Sequence, residues 1–342
     1  MRVLIAMSGG VDSAAAAALV LRAGHTAEGV TLRLTGTERE EAEIARARES
    51  AATLGLPHTV LDLREEFGAC VVRPFAEAYR AGRTPNPCVL CNREIKLGAL
   101  YREAMRRGFD RVATGHYARI ALDDGRPILC RARDLHKDQS YMLHLLSAEV
   151  LSHLLLPLGE LTKAEARAIA EEYGLAAARA EESQDICFVP DGDRVGFLEH
   201  FWGEPPQVGS FVDREGNVLG QHRGLEHYTV GQHKGLGIAL GRVRYVTRLD
   251  GEHCEVTLGD EAELYRREVV IPRLHLIAGG RLDAPLSATA KLRYRQTDAA
   301  CTVYPEGEGA RLVFCEPQRA PAPGQSAVLY DGDRVLGGGE IG

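Results

Sequence analysis

Ser8-Gly9-Gly10-Val11-Asp12-Ser13 stands between a short apolar run, Arg2 to Met7, and an Ala/Leu-rich stretch, Val11 to Arg22, closed by Gly24. A glycine pair at a strand-to-helix junction lets the backbone turn tightly and approach a ligand. The free N–H groups and partial positive charge of the helix start then face outward, ready for an anion. Ser8 and Ser13 add hydroxyl donors. Asp12 is out of place in an anion site unless a magnesium ion shared with phosphates accepts it. The usual nucleotide loops do not apply. No G-x-x-x-x-G-K-[ST] segment occurs, and Gly235 to Gly241 misses the G-x-G-x-x-G spacing and lies in β-rich sequence. A ligand-free Gly-rich turn remains the plain reading of Ser-Gly-Gly taken alone.

Beyond the loop, strands and helices alternate. His25 to Leu34 reads as a strand, Glu38 to Leu54 as a charged helix stopped by Gly55 and Pro57, and His58 to Leu63 as a third strand. A helix is expected from Asn92 to Arg107 before Gly108, then a strand from Arg111 to Thr114. Thr162-Lys163-Ala164-Glu165 is a capping box opening a helix that ends at Gly174. This spacing implies βαβ units and a parallel sheet. After Pro190 the texture changes to short alternating segments, such as Cys254 to Leu258, between turns at Asp191-Gly192, Glu215-Gly216 and Asp250-Gly251. Ala288 to Tyr294, Ala310 to Cys315 and Ala327 to Tyr330 read as strands of a small barrel or sandwich. The expected architecture is therefore α/β: a parallel-sheet domain over 1–192, a small mixed central domain over 193–265 and a C-terminal β-barrel over 266–342.

A chain of 342 residues suits two or three domains, and its 45% hydrophobic and 26% charged content is that of a globular protein. The net charge of −7 argues mildly against a dedicated nucleic-acid binder, although a local basic stripe can sit on an acidic protein. Ser8-Gly9-Gly10 and Asp12 interrupt the N-terminal apolar run before any signal-peptide cleavage site, and no run reaches the roughly 18 apolar residues of a membrane span. A cytoplasmic protein with no membrane partner is expected. Its eight cysteines are then expected mostly as thiols, serving catalysis, redox or metal binding rather than structural disulfides.

Thr84-Pro85-Asn86-Pro87-Cys88-Val89-Leu90-Cys91-Asn92 is a proline-stiffened turn leading into a helix. With Asn92 as its cap, Cys91 would sit at the positive helix end, where a thiol pKa falls from about 8.5 toward neutrality. Ser183-Gln184-Asp185-Ile186-Cys187-Phe188 carries a third candidate thiol. A zinc knuckle would need a second close pair, yet Cys70, Cys130, Cys254, Cys301 and Cys315 offer none at C-x-x-C spacing. An apolar filler is the competing reading of Cys187, since Ile-Cys-Phe suits a core.

The complete S-G-G-V-D-S at the end of a first strand resembles the loop of the N-type ATP pyrophosphatases (PP-loop, adenine-nucleotide α-hydrolase-like), which split ATP to AMP and pyrophosphate while adenylating an oxygen of the substrate. With it come both cysteine motifs, Ala113-Thr114-Gly115-His116-Tyr117-Ala118-Arg119 and Lys137-Asp138-Gln139-Ser140-Tyr141-Met142-Leu143. Tyr228 to Gly237, Lys291-Leu292-Arg293-Tyr294-Arg295 and Ala322-Pro323-Gly324-Gln325-Ser326-Ala327 complete the set. In this order, over almost the whole chain, they are similar to the tRNA-specific 2-thiouridylases. The resemblance implies ATP-dependent 2-thiolation of the wobble uridine of tRNA.

By that resemblance, Ala6, Met7, Ser8, Gly9, Gly10, Val11, Asp12 and Ser13, with Leu32 and Gly115, would bind ATP with Mg2+ on its phosphates. Cys187 would carry a persulfide, and Cys91 would release the sulfur by forming a transient disulfide with it. Asn86, Pro87 and Cys88 would lie against the target base, while His116, Lys137, Asp138, Gln139, Arg293, Tyr294 and Gln325 would contact tRNA. A cysteine desulfurase or a sulfur-relay protein would be the donor. Some relatives have Asp where this chain has Cys88, so an acid/base role is not carried over to it. Three thiols leave an iron–sulfur cluster open as an alternative. The stretch Thr35 to Glu43 is shorter than in relatives and reads as a surface loop. Arg242, Arg244 and Arg248, like Arg102, Arg106 and Arg107, either position phosphates or form solvated faces. Another enzyme of the same loop class, such as an amidotransferase-type synthetase or tRNA lysidine synthase, would need no paired thiols. A noncatalytic tRNA- or iron–sulfur-binding module would not consume ATP.

Overall fold

The computed structural model describes residues 1–179 and 186–342. Four strands follow one another in the first part of the chain: β1 (Arg2–Ala6), β2 (Thr26–Arg33), β3 (His58–Asp62) and β4 (Arg111–Ala113). A hairpin of β5 (Arg119–Asp123) and β6 (Arg126–Cys130) comes next, and then the short β7 (Leu154–Leu155). The order β3-β2-β1-β4-β7, parallel throughout, puts β1 in the middle of the first sheet. Its Val3, Leu4 and Ile5 are wholly buried, as a parallel strand covered on both faces requires.

Helix α1 (Val11–Arg22) returns across this sheet. Its run Ala14 to Ala18 is buried, and these small side chains let other helices approach closely. On one side Ala17 and Val20 pack with Ala47 and Ala51 of α2 (Glu38–Thr53). Thr37 caps α2, and the Glu40 carboxylate accepts N–H groups from Leu34, Thr35 and Gly36. Glu38 to Glu43, most of the segment expected as a surface loop, is therefore the start of a capped helix. Two longer helical runs follow, α3 (64–80) and α4 (87–106), each with a stretch of π-helical bonding, at Gly68–Val72 and Cys91–Ala99 respectively. Helix α5 (Lys163–Glu172) has the capping box of Thr162 and Glu165 and packs Ala166, Ile169 and Ala170 on the alanine face of α1. Helix α6 (Arg194–Trp202) leads out of this domain.

The central part is a four-stranded sheet of β8 (Gly209–Val212), β9 (Val218–His222), β10 (Tyr245–Asp250) and β11 (Glu255–Gly259), in the order β10-β11-β8-β9. The last part holds β12 (Tyr265–Ile271), β13 (His275–Leu276), β14 (Leu286–Lys291), β15 (Ala299–Glu306), β16 (Gly309–Arg319), β17 (Ser326–Asp331) and β18 (Arg334–Glu340). Their inner face buries Val269, Ile271, Val303, Leu312, Phe314 and Leu329. The hairpin β5–β6 joins this sheet through β18, where Arg334 lies opposite Cys130. Sequence reading gave this segment no strands, although Asp124 and Gly125, both at positive φ, make the two-residue turn that such a hairpin favours.

All three parts meet at residues 81–84. A Cβ on Gly251 would lie 2.6 Å from the Ala81 carbonyl carbon, so the central part rests directly on backbone there. From the last part, the Pro323 carbonyl accepts Thr84 N–H at 2.8 Å, and Gln325 Nε2 donates to the Thr84 carbonyl at 2.7 Å. The loop entering α4 is thus clamped from outside its own domain. Among the described residues no helix is long and apolar enough to cross a membrane.

Candidate active site

The loop after β1 is held open by its own atoms. Met7 is buried, and its carbonyl accepts from Thr31 Oγ1 at 2.6 Å. Gly9 takes φ +75°, and a Cβ there would lie 2.2 Å from the Glu43 carbonyl oxygen, so only glycine passes α2 at this height. Gly10 precedes α1 without a side-chain cap. Ser13, expected as a hydroxyl donor, is buried: its hydroxyl accepts Ser8 N–H at 3.0 Å and donates to the Gly10 carbonyl at 2.9 Å. It shapes the loop, while Ser8 stays exposed. Val11 is buried beneath the loop, and Ala6 and Leu32 are half-buried beside it.

Asp12 is satisfied by residues that sequence reading missed. Lys163 Nζ donates to both its carboxylate oxygens at 2.7 Å, and the Tyr117 hydroxyl donates at 2.7 Å. The only hint was that Lys163 opens a capped helix. Mg2+ is usually held by one or two carboxylates together with substrate phosphates and water, so Asp12 would serve it only with a nucleotide in place. Gly115 seals the loop from the other side, since a Cβ there would lie 2.7 Å from Asp12 C and Ser13 N.

The thiols lie on the far side of Gly115. Asn86, not Asn92, caps α4: its Oδ1 accepts Cys88 N–H at 3.2 Å, and Pro87 occupies the first turn. Cys88 is therefore the exposed residue at the positive helix end. Cys91 lies one turn in, 5% exposed, and burial pushes its thiol up rather than toward neutrality. Asn92 is buried and donates to the Met142 carbonyl at 3.3 Å. From far along the chain, Phe188 and Val189 pack with Cys91, Ile95, Phe67 and Phe75. Phe188 meets Phe75 and Phe67 edge-on at 5.1 and 5.6 Å. These contacts bring the neighbours of Cys187 against α4. Ser183, Gln184 and Asp185 of the same motif lie outside the described residues.

Cys187 opens on solvent, yet the protein around it disfavours a thiolate and pushes its pKa up to about 11, with Lys96 pulling the other way. Lys96 is the second residue that sequence reading missed. Burial works to lower its pKa, but Cys91, Cys88 and Cys187 together raise it on balance. His116, which follows Gly115, is held neutral by burial and by Lys96, with a pKa of about 3, and its Nδ1 pairs with Thr114 Oγ1 at 2.8 Å. All eight cysteines are free thiols. Among the described residues no three His, Cys, Asp or Glu side chains converge as metal ligands. Cys91 is buried, while Cys88 and Cys187 are exposed.

Several residues expected at an RNA surface are also engaged within the protein. Asp138 is buried and accepts from Ala132 N, Ser140 N and Ser140 Oγ at 2.8–3.2 Å. Gln139 exchanges two hydrogen bonds with the Tyr117 backbone. Lys137 is half-buried beside them. Arg293 donates to the Ala320 carbonyl, and the Tyr294 ring lies 5.9 Å from Tyr141. Arg242 and Arg244 pair with Asp260, Arg248 with Asp250, Arg106 with Glu103 and Arg107 with Glu28. Pairing of this kind favours the solvated-face reading for those arginines, and Arg102 is exposed.

Three family models match the chain: a tRNA methyl transferase HUP domain over residues 1–191, a tRNA methyl transferase PRC-barrel domain over 196–260 and an aminomethyltransferase beta-barrel domain over 266–341. Curated relatives match nearly end to end. A protein of Syntrophotalea carbinolica is 48% identical over 99% of this chain and 98% of its own length. One of Acetivibrio thermocellus is 44% identical over 99% of each chain, and one of Moorella thermoacetica 47% identical over 99% and 98%. Each of the three is called tRNA-specific 2-thiouridylase MnmA.

Proposed function

The chain belongs to the tRNA-specific 2-thiouridylase family of tRNA sulfurtransferases, and we propose that it adenylates the wobble uridine of tRNA with ATP and then replaces the C2 oxygen with persulfide sulfur. The C2 carbonyl is a poor electrophile with a poor leaving group. Transfer of AMP to its oxygen, with loss of pyrophosphate, turns that oxygen into a leaving group and divides one hard step into two easier ones. Ala6 to Ser13, Leu32 and Gly115 hold the nucleotide in this reading, with Mg2+ on its phosphates.

Cys187, open to solvent, accepts a sulfur atom from a cysteine desulfurase or a relay protein. The terminal persulfide anion attacks C2, and AMP departs with the oxygen. The Cys91 thiolate then attacks Cys187 Sγ, breaking the Sγ–S bond. Sulfur stays on the base, and a Cys91–Cys187 disulfide is left for an external dithiol to reduce. The wobble base is already unpaired, so extruding it past Asn86, Pro87 and Cys88 costs less than flipping a base from a duplex. His116, Lys137 to Gln139, Arg293, Tyr294 and Gln325 frame the RNA, and such a substrate puts the work in the cytoplasm.

One observation carries this reading: Gly115 rests on the Asp12–Ser13 backbone while the next residue, His116, faces Lys96 among the thiols. Nucleotide loop and sulfur site are thus joined through adjacent residues. The test is to incubate the protein, loaded with sulfur by a cysteine desulfurase, with Mg2+, ATP and unmodified tRNA bearing a wobble uridine, and to identify the products. AMP and pyrophosphate released only with that tRNA support the reading. ADP, or turnover indifferent to tRNA, overturns it.

A further inference from the structure

Lys96 has no part in the reaction as written, and its surroundings call for one. The i→i+5 winding of Cys91–Ala99 turns residue 96 back over residue 91, whereas in an α-helix it would stand roughly 140° around the axis. Gly98 permits this winding, since a Cβ there would lie 2.4 Å from the Arg93 carbonyl oxygen, five residues back. The residues flanking Cys187 pack on the same turn, against Cys91 and Ile95. The titratable groups facing Lys96 are therefore Cys91 and Cys88 from α4, Cys187 from the segment after residue 185, and neutral His116 from the end of β4. Among the described residues no carboxylate pairs with it. Among the described residues, this half-buried ammonium has three sulfurs and a neutral imidazole as its titratable neighbours, and of these only the sulfurs can become anions to balance it.

We infer that Lys96 is the positioning counter-charge of the sulfur site, holding the anion on whichever of Cys187 and Cys91 carries it. The pocket otherwise disfavours thiolates. Next to Lys96 an intrinsically more acidic persulfide on Cys187 stays ionised while the parent thiols stay protonated, so charge is present when sulfur is loaded. Lys96 acts through the sulfurs and need not touch substrate.

The purpose of this arrangement rests on the sulfur-transfer reading, but the charge relation can be measured without it. In the full-length protein, the rate of Cys187 alkylation by iodoacetamide is followed against pH by peptide mass spectrometry. Lys96→Gln is expected to move the midpoint upward and to slow alkylation at pH 8 about tenfold for each unit of rise. Lys96→Arg is expected to restore it. An unchanged midpoint in Lys96→Gln, or no rescue by Lys96→Arg, overturns the inference. Should Lys96→Gln not fold, the converse is read from the Lys96 amine. In Cys91→Ala/Cys187→Ala its acylation by acetic anhydride should titrate at lower pH than in wild type, and equal midpoints overturn the inference. A Lys96-dependent alkylation midpoint in a wild-type protein that forms no thiolated tRNA would instead count against the proposed reaction and leave the charge relation standing.

Discussion

Lys163 Nζ lies 2.7 Å from both carboxylate oxygens of Asp12, closing the start of α5 onto the start of α1. The pair is partly shielded, with the lysine side chain 16% and the aspartate 31% exposed. It fixes the mouth of the phosphate loop and supplies a cation there. Lys163→Ala leaves Asp12 with the Tyr117 hydroxyl, and we expect a loss of about 1–2 kcal/mol, less than for a fully buried pair because solvent screens it. Urea midpoints measure this. AMP release should fall at least about tenfold as the loop loses its cation. A variant with unaltered AMP release would mean that Lys163 is only a structural tie.

Cys91 and Cys187 separate the two halves of the reaction. Cys91→Ser and Cys187→Ser should each abolish thiolated tRNA while leaving single-turnover, tRNA-dependent pyrophosphate release within a few-fold of wild type. Product RNA resolved on a mercury-containing gel, together with a nucleotide assay, distinguishes the outcomes. If either serine variant still thiolates tRNA, the persulfide route fails. If both lose pyrophosphate release, the thiols belong to the adenylation step.

The parts of the fold that obey standard periods and caps were legible in the sequence. Helix α1 begins at Val11 and ends at Arg22 as its apolar run indicates, and the Thr162–Glu165 box caps α5 as its spacing says. The start of α4 lies at Asn86-Pro87 rather than Asn92: the pair reads as part of a turn, although a cap followed by proline at the first helical position is itself a start signal. That shift moved Cys91 from an exposed positive end into the core. Lys96 could not be found by pattern, since a 3.6-residue period puts it on another face from Cys91. Tyr117 and Lys163 reach Asp12 only through tertiary packing, across 105 and 151 residues.

Gly98 offers a separate handle on α4. With an added Cβ 2.4 Å from the Arg93 carbonyl oxygen, Gly98→Ala cannot keep the present winding. Relaxation toward α-helical bonding would rotate Lys96 away from Cys91. We expect a stability loss of about 1–3 kcal/mol and a Cys187 alkylation profile displaced upward in pH, as in Lys96→Gln. Thermal unfolding and the alkylation assay report the two effects separately. A destabilised variant with an unmoved profile would show that the winding does not position the lysine.

His144 sets the acid limit of stability. It is completely buried; its Nδ1 lies 2.7 Å from the Tyr141 carbonyl, while Nε2 has no partner among the described residues. Nδ1–H donates to that carbonyl in the neutral ring, and a second proton would bury an N–H with no acceptor. Burial accordingly holds the pKa at about 4, against 6.5 for the free side chain. Above pH 6.5 both folded and unfolded chains carry a neutral ring, and stability is unaffected. As pH falls below 6.5 the unfolded chain takes up a proton that the folded one refuses, so stability declines until about pH 4 and this source adds no further loss below it. The total is about 3 kcal/mol. His116, held at about 3, adds to the decline with the same sign. His144→Asn keeps a donor for the Tyr141 carbonyl and removes the titration, so its urea midpoint should fall less steeply than that of wild type between pH 6.5 and 4. Parallel slopes for the two proteins would show that the ring is not kept neutral by its burial.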